Sequence, residues 1–307
     1  MVRPTFTLPG SLSVNSGAGS DAVAIIGNIG GSVAANLGSA TGTGTDGNLL
    51  TLGDTGAKNV TSSVGGAVSV VGGDQGDSVV LWGTDVRGGV SLALGNGENY
   101  AELQGKGATI GSFGYTGGTG NDVAQLANEI TVRNDVSVFT GPRGTDGFGL
   151  SYQATVNGRV VVNTGAAADG DYTFFSFSTI RRNLALTTGA GDDAILVGDS
   201  TIGGAATVAS NAGNDTLIFG GSTVGLNTVI DAGAGNDSVL VSNFTTRSTL
   251  FVYLGAGNDG LTLSNARAFA AFLYGGTGSN TLTTDAATRT GVRTLRYYQF
   301  QTVNKDV

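Results

Sequence analysis

Residues 189–198, 211–220, 233–242 and 255–264 read GAGDDAILVG, NAGNDTLIFG, GAGNDSVLVS and GAGNDGLTLS, and residues 275–284 follow with GGTGSNTLTT. Each segment is a glycine turn, an Asp or Asn anchor, and an apolar alternation. The anchors are Asp193, Asp215, Asp237, Asp259 and Asn280, at spacings of 22, 22, 22 and 21 residues. Upstream the same place falls to Asp171, Asp146, Asp122, Asn99, Asp77, Asp46 and Asp21. Those spacings run from 22 to 25, with one of 31 between Asp46 and Asp77. A fixed period of this length is the mark of a solenoid.

One period explains why. Val239 and Val241 lie two and four residues after Asp237, so they share one face of a strand. Ile195 and Val197, Leu217 and Phe219, and Leu261 and Leu263 hold the same offsets. A second apolar pair precedes the next glycine turn: Leu250 and Val252, Leu184 and Leu186, Val90 and Leu92. Between the pairs lies a small polar turn with one more apolar residue, such as Ile202 or Val224. A lone unit of strand, turn, strand and glycine turn cannot bury its inward face. Stacked parallel copies bury it and pair their backbones. The expectation is an all-β, right-handed parallel β-helix (a β-solenoid) of about 12 coils, right-handed as parallel crossovers are. It forms one domain over residues 1–307. Residues 1–14 are an N-terminal cap or first partial coil, and residues 290–307 a C-terminal cap with Leu295, Tyr297 or Phe300 closing the edge. Two stretches depart from the period. Gly147 to Ile180 is aromatic (Phe148, Tyr152, Tyr172, Phe174, Phe175, Phe177) and reads as a lateral loop or bulged coil. Thr51 to Gly66 is polar and reads as an excursion.

Composition narrows the chemistry. The chain has 54 Gly, 3 Pro, no His and no Cys. Glycine at this density leaves no room for long helices, and no strict Gly-X-Y period suggests collagen. A 40% hydrophobic content still builds a core. Without His or Cys there is no Ser-His-Asp or Cys-His catalysis and no zinc site built on imidazole or thiolate. The net charge is −8 and the only lysines are Lys58, Lys106 and Lys305, so no basic face serves nucleic acid. No apolar run approaches the ~20 residues of a membrane helix. The start MVRPTFTLPG lacks a secretory apolar stretch. Abundant Gly, Ser, Thr, Asn and Asp with little Lys gives an extracellular or cell-surface impression.

The segments Gly275 to Thr283, Gly233 to Leu240, Gly255 to Thr262 and Gly117 to Gln125 resemble the nonapeptide GGxGxDxUx. That repeat belongs to the RTX, or haemolysin-type, calcium-binding β-roll family. The resemblance implies Ca²⁺ held by turn carbonyls and by Asp122, Asp193, Asp215, Asp237 and Asp259, with Asp21 in GAGSDAVA also fitting. This chain carries one motif per ~22 residues where the family packs two per coil. Thr188, Ser210, Ala232 and Leu254 replace the first motif Gly, and Asn99 and Asn280 replace Asp. Whole coils are more similar to the larger β-helix of surface and polysaccharide-active proteins.

Physics gives the column two readings. Stacked carboxylates ~5 Å apart repel by roughly 1 kcal/mol in water and about 3 near a protein surface. A hard divalent cation would relieve that. Alternatively Gly supplies positive φ, Asp and Asn bond the turn backbone, and Asn214, Asn236 and Asn258 form an amide ladder needing no metal. For function, the first expectation is a non-enzymatic secreted or surface structural or adhesion protein, with self-association or a surface polymer as partner. An outward apolar row (Leu196, Ile218, Leu240, with Ala24 and Val80) and outward Phe251 and Tyr253 support a partner face. The alternative is a polysaccharide lyase or glycoside hydrolase using Asp146, Asp169, Asp171, Arg159, Arg181 and Arg182. An ice-binding Thr column is set aside, because Ala194, Thr216, Ser238 and Gly260 are mixed.

Overall fold

The computed structural model describes residues 6–38, 47–54, 60–166 and 168–305. Asp46 and, within the expected excursion, residues 55–59 with Lys58 lie outside them, while the strands Leu49–Gly53 and Ser62–Val64 occupy its two sides. The chain divides into two compact units, residues 1–158 and 159–307.

Both units are parallel β-solenoids built from one three-strand coil. In the second unit the strands that follow the glycine turns are Tyr172–Ser176, Ala194–Gly198, Thr216–Gly220, Ser238–Ser242, Gly260–Ser264, Thr281–Thr284 and Thr302–Lys305, each parallel to its neighbour. We refer to these as the post-turn sheet. The strands that precede the turns run from Val160–Asn163 to Val292–Tyr298 and form the pre-turn sheet. A third, corner sheet holds Thr179–Ile180, Thr201–Ile202, Thr223–Val224 and Thr245–Thr246. The first unit repeats the plan, its post-turn strands running from Ala22–Ile25 to Gly147–Ser151. Among the described residues of both units, pre-turn and post-turn positions recur 13 times each, so there are about 13 coils where the period suggested about 12.

The alternation sets which side chains go inward. Ile195, Val197, Leu217, Phe219, Val239, Val241, Leu261 and Leu263 are all buried, as are Leu184, Leu186, Leu250 and Val252. Each such burial contributes about 1.5–3 kcal/mol before conformational costs. The residue read as a lone apolar residue in a turn, Ile202 or Val224, is the inward half of a two-residue strand. Its outward half is Thr, in register with the Thr of the next coil.

The aromatic stretch is more regular than its sequence suggests. Phe148 and Phe175 are core residues, while Tyr152 and Phe177 are exposed. The corner absorbs one of the three extra residues, Thr155 lying eight after Gly147 where Thr179 lies seven after Tyr172, and the other two fall between Asn163 and Tyr172. Tyr152 and Gln153 take left-handed φ of 51° and 65°, as do Asn128 and Glu129 one coil earlier. Later coils turn that corner on one such residue, among them Asp199, Asn243 and Asn265. The C-terminal segment is a further coil as well as an end. Leu295 and Tyr297 pair in register with Ala271 and Leu273, after a short helix Ala286–Gly291 takes the corner position.

Candidate functional site

The repeated turn is where the sequence concentrates its polar residues. Its glycines have two reasons to be Gly. Gly257 has φ 146°, and a Cβ there would lie 1.5 Å from the Gly235 carbonyl oxygen of the coil below. Consecutive turns therefore sit almost backbone on backbone. Ala212, Ala234 and Ala256 bridge one turn to the next, with Gly235 N–H donating to Ala256 O at 2.8 Å.

The anchors form a hydrogen-bond ladder. In the second unit the N–H of Asp171 donates to Oδ1 of Asp193 (2.7 Å), Asp193 to Asp215 (2.8 Å), and Asp215 to Asp237 (2.9 Å). Asp237 donates to Asp259 (2.9 Å) and Asp259 to Oδ1 of Asn280 (2.9 Å). Gln301 closes the run, its Oε1 accepting from Asn280 N–H at 2.6 Å. One residue earlier a second ladder runs the other way. The N–H of Asn214 donates back to Oδ1 of Asp192, Asn236 to Asn214, Asn258 to Asn236, and Ser279 to Asn258. The expected amide ladder is present, and Asn236 Nδ2 also reaches Asn214 Oδ1 at 3.1 Å.

The first unit carries the same column with mixed chemistry. Asp21 N–H donates to Oδ1 of Asn48 (3.0 Å), Asn48 to Asp77 (3.2 Å), and Asp77 to Asn99 (2.8 Å). Asn99 donates to Asp122 (3.0 Å) and Asp122 to Asp146 (2.8 Å). Asn48 is thus the anchor where the spacing pointed to Asp46. The signal was in the sequence: Asn48 directly precedes LLTLG, as Asp193 precedes AILVG. The steps of 25 and 31 then become 27 and 29, from Asp21 to Asn48 to Asp77.

The second side-chain atom separates the anchors. Asn99 Nδ2 donates to the carbonyls of Gly95 (2.9 Å) and Gly97 (3.2 Å), and Asn280 Nδ2 to Gly275 (2.8 Å). Asn99 and Asn280 therefore satisfy their own turns, while Asn48 Nδ2 donates to Asp77 Oδ1 of the next coil at 2.9 Å. Among the Asp anchors, Oδ2 of Asp77 and Asp122 accept turn N–H groups from Gly73 and Gly118. Asp146 and Asp171 accept the hydroxyls of Thr140 and Thr164. Oδ2 of Asp21, Asp193, Asp215, Asp237 and Asp259 is buried with no hydrogen-bond partner. Burial pushes the Asp122, Asp193 and Asp237 carboxyls up to about 6, and raises those of Asp215 and Asp259 above the usual range. A neutral acid can donate from Oδ2 where the amides donate from Nδ2.

This geometry bears directly on calcium. The six residues named from the resemblance all lie in the two columns, Asp21 and Asp122 in the first unit and Asp193, Asp215, Asp237 and Asp259 in the second. Five of them have Oδ1 committed to the ladder, Oδ2 of Asp122 is taken as well, and Asp21 enters the ladder through its N–H. Calcium takes roughly six to eight oxygens, and among the described residues no three acidic side chains converge on a cage. The orphaned Oδ2 atoms of Asp21, Asp193, Asp215, Asp237 and Asp259 offer one uncommitted oxygen in each of those coils.

The residues considered for sugar chemistry differ in burial. Asp146 and Asp171 are buried ladder members. Asp169, Arg159, Arg181 and Arg182 are exposed. The expected outward row is real: Leu196 is 39% exposed, Tyr253 38%, and Ile218, Leu240 and Phe251 half-buried. Among the described residues no helix is long and apolar enough to cross a membrane. The chain matches no protein-family model, no curated protein and no solved structure.

Proposed function

We propose that the chain is a non-enzymatic structural or adhesive β-solenoid of the cell surface or extracellular space. The observation that carries this reading is the anchor ladder. The repeated acidic residues take part in coil-to-coil hydrogen bonding, including Asp146 and Asp171, two of the residues considered for sugar chemistry. A scaffold needs a rigid stack with uniform coils, and the ladders supply one N–H bond per coil in each direction. Calcium support of the turns belongs to the same reading. It would act through the orphaned Oδ2 atoms and would raise the melting temperature in a way that chelator reverses.

The test is location together with activity. Antibody labelling of intact source cells should decorate the surface or the surrounding matrix, and label confined to the cell interior would sink the proposal. Incubation with a panel of uronic-acid polymers should release no new chain ends. Cleavage of any of them would favour a polysaccharide lyase or hydrolase instead.

A further inference from the structure

We infer that the outward face of the post-turn sheet in the second unit is a self-docking surface, on which a second copy of this chain seats its own identical face. Three outward columns cross the strands from Tyr172–Ser176 to Gly260–Ser264. The central column is a ridge of Phe174, Leu196, Ile218 and Leu240, in register from coil to coil. Beside it runs a groove of Gly198, Gly220, Ser242 and Ser264, also in register. On the other flank of the ridge, where Tyr172, Ala194 and Thr216 form the third column, a shallow apolar depression of about 180 Å³ opens against Phe174, Leu196 and Ile218.

The groove glycines are the second observation. Turn glycines such as Gly257 are forced by positive φ and by backbone a coil away. Gly198 and Gly220 have neither constraint. A Cβ at Gly198 would meet only the Leu196 side chain, at 3.5 Å, and one at Gly220 only Ser242 Oγ, at 3.6 Å. At Gly260, on the other flank of the ridge, nothing lies within 4 Å. Glycine weakens a strand interior and marks places where another chain comes close. The coils themselves do not ask for it here.

Shape and charge name the occupant. A two-fold axis parallel to the coil stack, midway between ridge and groove, lays each ridge in the other copy's groove. Leu196 then faces Gly198 of the second copy, Ile218 faces Gly220, and Leu240 faces Ser242. That is an isologous, closed contact. The chain carries a net charge of −8, which sets copies repelling one another over most approaches. These five strands contain no Asp, Glu, Lys or Arg. Pairing at the exposed C-terminal edge is opposed instead, since Val292–Tyr298 and Thr302–Lys305 carry Arg293, Arg296 and Lys305. Five strands ~4.8 Å apart and some 17 Å wide give roughly 400 Å² per copy. That is about half of a standard interface, so the dimer forms only at high concentration. The inference goes beyond the surface role and does not depend on it.

Sedimentation equilibrium of the full chain at neutral pH, from about ten micromolar to about one millimolar, tests it. The expected result is a monomer–dimer equilibrium with Kd in the upper micromolar range. Ile218→Asp should weaken it at least about tenfold by burying a charge in the contact. Gly220→Val should do the same by filling the groove, with the melting temperature unchanged or raised. Monomers throughout, a dimer that both variants retain, or open-ended polymers would each overturn the inference. So would a Gly220→Val chain that melts lower, because the glycine would then serve the coil. Each of these outcomes leaves the labelling result under the proposed function untouched.

Discussion

The backbone N–H of Asp215 donates to Oδ1 of Asp237, 2.9 Å away and 22 residues on. The next residue back reverses the direction, with Asn236 N–H donating to Oδ1 of Asn214 at 2.8 Å. Two adjacent positions thus lock each turn to the coil above and the coil below. The first position needs only an oxygen acceptor from its side chain, which Asn supplies as well as Asp. Asp215→Asn should therefore keep the ladder and add an Nδ2–H donor toward the turn, as Asn99 and Asn280 do. We expect it to stabilise the protein at pH 7.5 by about 1 kcal/mol. Asp215→Leu strands the Asp193 N–H and should cost about 1–3 kcal/mol. Urea unfolding of the two variants beside the parent checks the pair. An Asn variant less stable than the parent would show that the carboxylate itself matters.

Stability should rise on mild acidification. The Asp193 and Asp237 carboxyls sit at about 6 in the folded chain against an ordinary value of 3.8, because burial disfavours their charged forms. A carboxyl raised on folding favours the folded state most when neutral. Its contribution is fully present below about pH 3.8 and is lost as pH climbs through about 6. Melting temperature should therefore be higher at pH 5.5 than at pH 7.5. The difference should shrink in a chain with Asp193, Asp215, Asp237 and Asp259 all changed to Asn. A melting temperature that falls between pH 7.5 and 5.5 would contradict the assignment.

Glycine substitutions should split sharply by position. Gly257→Ala puts a methyl 1.5 Å from the Gly235 carbonyl oxygen at φ 146°. It should cost at least about 2 kcal/mol, since strain adds to the clash. Gly260→Ala, three residues on, meets nothing within 4 Å and has no positive φ. It should be neutral or stabilise by up to about 1 kcal/mol. Circular dichroism melts of both variants distinguish turn glycines from face glycines.

How much of this was legible depends on how local the signal is. The inward pairs, such as Leu217 with Phe219, follow from strand alternation alone, and their burial needed no coordinates. The column of anchors followed from the period, because a solenoid stacks what the period aligns. What sequence could not give was the direction of each carboxylate. Asp193 can face solvent, a cation or the neighbouring backbone with the same spacing, and only the stack shows it accepting from Asp171 N–H. The two-residue corner strands were read as turns because Thr201–Ile202 is too short for an alternation to show. Asn48 was missed because Asp46, two residues earlier in GTGTDGNLL, also follows glycines, and only the register of the strand after Asn48 tells the two apart. The corner left-handed residues, Tyr152 and Gln153, are side chains that rarely take that conformation, so sequence gave no warning of them.

The core should fail locally before it fails globally. Phe219 is fully buried and meets Phe244 edge to face, centroids 5.9 Å apart with planes at 81°. Phe244 reaches inward from the corner immediately before Thr245–Thr246, so this contact ties the post-turn sheet to the corner within the second unit. Phe219→Ala removes the ring and leaves a cavity that stacked coils on either side cannot close. The expected cost is about 3–5 kcal/mol. In a repeat stack each coil contacts mainly its neighbours, so amide exchange should quicken first in the coils holding Phe219 and Phe244. Residues near Leu150 in the first unit should keep their protection. Uniform loss of protection along the whole chain would mean that the stack unfolds as one cooperative block rather than coil by coil.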